Sequence, residues 1–377
     1  MQRHYFDYAS TTPVSDAVKE KMNTVPFGNP GSLHEEGRVA SELLQSARKK
    51  VANALKVKAG EVVFTHGGTD ANMRALLGVV KAKKEKGVSY SDMEVVVSRI
   101  EHASILNTAK ELLRLGVTVH YVSNNEEGII SPSELCSYIT EKTVLVSIGY
   151  VNNEIGTIQP VRAIATKAKE KNPHVLVHTD ACQSPLYVPV APHALGVDLL
   201  SLDAQKIYGP KGVGVLFVRQ DVELSPLVDG TQERGIVPGT EALPLIVGMS
   251  EALSDAVLKQ EDEAKRIAGI RDELFEYIED KIPGAIRNGS KESRVANNIN
   301  ISLLSVDTEY LVMQLDARGF AISTKSTCER DMPYSHVVKE LGGDEKRAYH
   351  TLRISLGRDS DLENAKKLID TIVELTT

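Results

Sequence analysis

Several apolar runs in this 377-residue chain end in residue types that could do chemistry. The run Val197–Leu202 leads into Asp203, Ala204, Gln205 and Lys206, and a tight Gly209-Pro210 turn follows before a second apolar run, Val213–Val218. An amine at the end of a core strand is costly as a free ammonium and useful as a nucleophile. The run Glu61–Thr65 leads into His66-Gly67-Gly68-Thr69 and then a helical pattern. Two glycines let a ligand approach the backbone, and a helix N-terminus offers unpaired N–H groups and about half a positive charge. That shape suits a phosphate. It also suits an ordinary helix start capped by Thr69 or Asp70. Neither GxxxxGK[ST] nor GxGxxG is present, so the P-loop and Rossmann fingerprints are excluded. Asp180 closes a third run, Asn152, Asn153 and Glu154 a fourth, and His102 follows a fifth. Taken singly, His102 has a structural reading as well as a catalytic one.

These residues need a frame that brings them together. Strands are expected at Glu61–Thr65, Glu94–Ser98, Val117–Val122, Val144–Tyr150, Val175–Thr179, Asp198–Leu202 and Val213–Arg219, being short, apolar and rich in β-branched residues. Helical periodicity fills most gaps, as at Ala71–Lys86, Ser104–Leu115 and Val161–Lys171. Such alternation implies a mainly parallel seven-stranded sheet flanked by helices, an α/β fold in which ligands bind beyond the carboxyl ends of the strands. A long charged helical stretch, Leu245–Lys281, follows. The tail alternates short strands (Asn298–Leu303, Phe320–Ser323, Leu352–Ser355) with helices at Thr308–Arg318 and Asp361–Leu375. The expected organisation is a large α/β unit over 15–250 and a smaller α+β unit made of 1–14 plus 251–377.

Composition narrows the function. Apolar residues make up 42% and charged residues 25%, ordinary values for a globular protein. A net charge of −7 argues against nucleic-acid binding. No apolar run reaches the roughly 18 residues of a membrane span, and the N-terminus lacks the apolar segment of a secretory signal. Three cysteines, Cys136, Cys182 and Cys328, do not make a disulfide framework and fit a reducing cytoplasm. Cys136 and Cys182 lie in helical and strand-end contexts and read as packing residues. Cys328 lies in the polar stretch STKSTCERDMP and reads as an accessible thiol. No metal-ligand spacing stands out.

Gly-Gly-Thr, His, Asn, Asp and Lys on one sheet edge suit pyridoxal 5'-phosphate. That cofactor needs a phosphate cradle, a lysine for a Schiff base, a carboxylate for its pyridinium nitrogen and a flat group against its ring. The Schiff base explains the lysine, because Lys206 need not remain an ammonium.

The chain resembles the cysteine desulfurases of the NifS and IscS type, within the class V aminotransferase group of fold-type I pyridoxal phosphate enzymes. The resemblance rests on YFDYASTTP at Tyr5–Pro13, NPGSLHEEGR at Asn29–Arg38, THGGTDAN at Thr65–Asn72 and Glu101-His102. It continues through VNNEIG at Val151–Gly156, HTDACQS at His178–Ser184, KIYGPKGVG at Lys206–Gly214, QERG at Gln232–Gly235 with Gly239-Thr240, STC at Ser326–Cys328 and LRISLGR at Leu352–Arg358. It implies L-cysteine as substrate, a homodimer, and a sulfur-accepting protein serving iron–sulfur assembly or tRNA thiolation. It further implies that Lys206 holds the cofactor and that Gly68 and Thr69 bind its phosphate, with Thr240 arriving from a second subunit. His102 would stack on the ring and move protons. Asp180 would pair with the ring nitrogen, and Asn153 and Gln183 would face the ring hydroxyl. Arg353, with Asn153, would bind the substrate carboxylate, and Cys328 would be the nucleophile.

The chain departs from the family at a few positions. The family usually has Ser or Thr at Asp203 and His at Gln205, both helping to hold the cofactor. Gln205 still offers an N–H donor. An ionised Asp203 repels a phosphate: two unit charges ~4 Å apart cost about 4 kcal/mol at an effective dielectric near 20. Asp203 is therefore expected to point away, to be protonated, or to be offset by a cation such as Lys211. Lys325, three residues before Cys328, either lowers the thiol pKa or is a solvated loop lysine. Val237-Pro238 replace an arginine of the family. The chain stops at Thr377, short of the longer tail that docks an iron–sulfur scaffold in related housekeeping enzymes, which leaves open whether this chain docks one. The rival readings are a selenocysteine lyase, another class V lyase or transaminase, and a non-catalytic relative. Cys328 separates the cysteine desulfurase from a plain transaminase, and intact Lys206, His102, Asp180, Cys328 and Arg353 weigh against the last.

Overall fold

The computed structural model describes residues 3–326 and 332–376. The chain opens with β1 (His4–Tyr5), α1 (Asp16–Asn23) and α2 (Glu35–Leu55). An alternating stretch follows: β2 (Val62–Thr65), α3 (Gly68–Glu85), β3 (Glu94–Ser98), α4 (Ala103–Leu115), β4 (Thr118–Val122), α5 (Pro132–Leu135), β5 (Thr143–Ser147), α6 (Val161–Lys171), β6 (Leu176–Asp180), α7 (Pro192–Leu195), β7 (Leu199–Asp203) and β8 (Gly214–Val218). After α8 (Leu243–Lys281) come β9 (Ile286–Arg287), β10 (Asn298–Ser302), α9 (Thr308–Ala317) and β11 (Phe320–Ala321). The chain then runs through α10 (His336–Lys339), α11 (Glu345–Tyr349), β12 (Thr351–Ser355) and α12 (Leu362–Thr376).

Seven strands form one sheet in the order β2-β8-β7-β6-β5-β3-β4. Every strand runs the same way except β8, which is antiparallel to both β2 and β7. The mainly parallel sheet of the sequence reading is therefore the sheet that forms. Its strands are apolar throughout because both faces are covered, and alternate residues serve opposite faces. In β8, Val215 and Phe217 join the cluster under α2, α6 and α8, while Leu216 and Val218 join the cluster under α3 and α4. A one-residue slip would exchange the two sets.

A second, antiparallel sheet of order β12-β10-β9 is built from the C-terminal part of the chain. The N-terminal strand β1 pairs with β11, and Asp7 bridges to Ser355, so the first residues of the chain lie beside this smaller sheet. The helix α8 runs unbroken across residues 250 and 251, and its 39 residues span about 58 Å.

Among the helices of eight or more described residues, periodicity does not pick out two, α1 and α2. The helix α2 buries Ala40, Leu44, Ala47, Val51 and Leu55 on one stripe, and the His34 ring caps it by accepting the Gly37 N–H. The shorter α1 buries only Val18. Two of the five stripe positions in α2 are alanine, which lowers its contrast against solvent-facing positions.

A buried ion pair helps hold the segment between β8 and α8 to the sheet. Arg48 of α2 makes two bonds to Glu233, at 2.8 and 2.6 Å, and Glu233 also accepts the Phe64 N–H at 2.8 Å. Removing one partner leaves the other charge buried and unmatched. Glu233→Ala is expected to cost about 3 kcal/mol, read as a lower urea midpoint. An unchanged midpoint would refute that role.

Candidate active site

The parallel strands bring their carboxyl ends to one edge, and a cavity opens there. Its lining includes Gly68, Thr69, His102, Asn153, Asp180, Gln183, Gln205, Lys206 and Arg353. Nine of the residues singled out from sequence thus meet at one place. Thr240 is exposed and does not line this cavity from its own chain. Cys328 lies outside the described residues.

Each wall has a local cause. Gly67 has φ +115° and precedes α3, a conformation that favours glycine. A Cβ at Gly68 would come within 2.6 Å of the Cys182 sulfur, so only glycine keeps this cradle open. Cys182 is buried and lines the cavity, with its thiol pushed up chiefly by burial. His102 caps α4, its Nδ1 accepting the Ser104 N–H at 3.2 Å. Beyond β7 a short 3-10 turn carries Ala204–Lys206. The Lys206 amine donates to the carbonyls of Ala9, at 3.0 Å, and Ser10, while Gln183 donates to Ala9 at 2.9 Å. The segment around residues 9–12 is thereby drawn across the site.

Asp180 accepts the Cys182 N–H at 3.0 Å and the Asn72 amide at 2.6 Å. The same Asn72 nitrogen reaches the Ser104 hydroxyl at 2.9 Å, and that hydroxyl lies 2.8 Å from His102 Nδ1. Carboxylate and imidazole are therefore coupled through Asn72 and Ser104, neither of which was assigned a role from sequence. Asn72 stands in the THGGTDAN motif, and its spacing from Gly68 on α3 was the available signal.

Glu101 is another residue without an assigned role. It is buried, accepts the Gly149 N–H through both carboxyl oxygens, and is pushed up to about 8, chiefly by burial and secondarily by Asp180. Behind Asp180, His178 is buried between the Ser147 and Ser201 hydroxyls, and burial pulls it down to about 4.

Arg353 is 1% exposed. It pairs with Asp7 at 2.9 Å and donates to the Asn153 carbonyl at 3.1 Å, while its Nε has no partner. Lys325 is buried and paired with Glu309 at 2.8 Å, which sets aside the solvated-loop reading. Glu154, at the core, accepts the Ser326 N–H at 2.8 Å and the Ser335 hydroxyl at 2.5 Å through different oxygens.

Asp203 does not point away from the cradle. Its Oδ2 accepts the Gly68 N–H at 3.1 Å and the Gln205 side-chain amide at 3.2 Å, and its Oδ1 accepts the Gln205 N–H at 3.1 Å. These donors offset the repulsion that residue types alone would predict there.

The residues present fit pyridoxal phosphate. A lysine, a carboxylate, an imidazole and a glycine-opened helix N-terminus face one cavity. Three buried polar atoms around it, Thr11 Oγ1, Asn72 Oδ1 and Arg353 Nε, lack a protein partner. Among the described residues no cluster of His, Cys, Asp or Glu could hold a metal ion, and no helix is long and apolar enough to cross a membrane.

Fold and site together define a class-V aminotransferase, and the family described as "Aminotransferase class-V" matches residues 4–368. Enzymes of that class depend on pyridoxal phosphate. The chain is 36% identical to a protein named cysteine desulfurase IscS from Dictyoglomus turgidum, over 98% of this chain and 93% of that one. It is 37% identical to the protein of the same name from Methanosarcina thermophila, over 98% and 91%. Among solved structures, one titled "NIFS-like protein" superposes with a TM-score of 0.92 at 33% identity over 99% of both chains. "SspA in complex with cysteine" gives 0.79 at 33% identity over 93% of this chain and 98% of that one. The chain belongs to the cysteine desulfurase family.

The raised Glu101 carboxyl carries a pH signature. Its folded form holds a proton more tightly than the unfolded chain, so its contribution is complete below pH 4.5 and is lost as pH rises through about 8. Glu101→Gln is expected to flatten that decline, so that the urea-midpoint difference between variant and native protein grows in the variant's favour from pH 5 to pH 8. Parallel pH profiles would contradict the assignment.

Proposed function

We propose that this chain is a pyridoxal-phosphate-dependent cysteine desulfurase, converting L-cysteine to L-alanine and passing the sulfur to an acceptor protein. The observation that carries the reading is the meeting of Lys206, Asp180, His102 and Arg353 around one cavity in a chain of this family. Lys206 would hold the cofactor through Nζ and Asp180 would face the ring nitrogen. His102 would cover the ring, and Asn153 and Gln183 would face the ring hydroxyl. Gly68 and Thr69, with Gln205 nearby, would take the phosphate end. When bound, the cofactor supplies a sink for the electron pair left by loss of a Cα proton.

The chain's own groups do the rest. Arg353 has an unpartnered Nε and a planar fork suited to a carboxylate, so it would seat the substrate. Lys206 would move the Cα proton. The Cys328 thiolate would attack the substrate sulfur. The carbon–sulfur bond breaks and a sulfur–sulfur bond forms, so L-cysteine and the Cys328 thiol become L-alanine and a Cys328 persulfide. Atoms and electrons balance without an outside reductant. A thiol nucleophile is what favours this reading over a plain transaminase.

A homodimer belongs to the same proposal. Phe27, Leu33 and Val228 are 84%, 92% and 66% exposed, an apolar display that a second copy would cover. Thr240 stands in the same exposed loop region as Val228 and would serve the partner's site rather than its own. We further propose a cytoplasmic location and the two-unit organisation of 15–250 against 1–14 with 251–377.

The test is direct. Purified protein should absorb at roughly 390–420 nm and release sulfide and alanine from L-cysteine with a reductant. Lys206→Ala should lose the covalently held cofactor, and Cys328→Ala should keep the band but lose sulfide release by about 100-fold or more. Sulfide release that survives Cys328→Ala would overturn the persulfide route.

A further inference from the structure

We propose that Asp203 is a built-in occupant of the cofactor's phosphate cradle, so that the cofactor must displace its carboxylate and is held at that end in a readily exchangeable way. The inference rests on the cofactor reading above and concerns how the site is loaded.

The cradle's leading donor is taken. Gly68 is the first residue of α3, and its N–H points at Asp203 Oδ2, 3.1 Å away. The contact is not incidental. A Cβ on Gly67 would meet the same oxygen at 3.7 Å, and one on Gly68 would meet Asp203 Cβ at 3.2 Å. The carboxylate thus lies against the glycine turn itself. Asp203 is 8% exposed, and its remaining bonds come from the N–H and side-chain amide of Gln205. Gln205 holds the carboxylate from one side while Gly68 receives it on the other.

Physics makes this a competition. A helix N-terminus favours one anion through its unpaired N–H groups and dipole. In the cofactor-free protein Asp203 already draws on that stabilisation, and the buried donor is satisfied. An arriving phosphate meets either an engaged Gly68 N–H or a carboxylate at contact distance. The other charged groups lining the cavity are Lys206, Lys211 and Arg353, which favour a phosphate, and Glu101 and Asp180, which do not. Lys206 is committed to the Ala9 and Ser10 carbonyls and Arg353 to Asp7. Giving up one charge-assisted bond weakens phosphate capture by about tenfold or more.

Two measurements on the full-length chain test this, using Asp203→Ser and the near-isosteric, neutral Asp203→Asn. First, cofactor-free proteins are melted with increasing inorganic phosphate. Both variants should gain melting temperature at concentrations that leave the native protein unmoved. Second, pyridoxal phosphate is loaded and its release is followed by absorbance. Release from either variant should be about tenfold slower or more than from the native protein. Equal phosphate responses, or equal release rates, would overturn the proposal. If none of the three proteins took up pyridoxal phosphate while the phosphate response stayed confined to the variants, the Asp203 contact would stand and the cofactor reading would fall.

Discussion

Parallel pairing is the constraint on which the rest of this structure depends. Strands β2, β3, β5, β6 and β7 point the same way, so the residues that follow each of them emerge on a single edge. Segments separated by more than a hundred residues then share one cavity. The antiparallel β8 preserves this arrangement. It returns the chain beside β7 without placing another carboxyl end on the crowded edge.

Three carboxylates line the cavity and a fourth, Asp7, pairs with its Arg353, and each is kept for a different reason. Asp180 is held by backbone and amide donors and linked to His102 through Asn72 and Ser104. Glu101 has one backbone donor and a buried setting that favours its neutral form. Asp203 draws on a helix N-terminus. Asp7 has a cation, Arg353, directly against it. Residue type alone does not separate these four; their neighbours do.

Much of this was legible in the chain. The strand Glu94–Ser98 and the helix Val161–Lys171 fall where periodicity puts them, because both faces of the sheet demand apolar runs and the helices demand amphipathic ones. The glycine cradle was legible because close approach and positive φ leave few other residues possible. Links that cross the fold were not. Nothing in local spacing ties Asp7 to Arg353 or Asn72 to Asp180. Of the alternatives for Asp203, pointing away is the one that does not form, because charge repulsion can be counted from residue types, while a compensating N–H from Gly68 requires coordinates.

Glu154 fastens Ser326 with one oxygen and Ser335 with the other. The two splice points of the stretch carrying Cys328 are thus secured by a residue that the stretch does not supply. An engineer could exchange that stretch as a cassette while leaving the scaffold and its moorings intact.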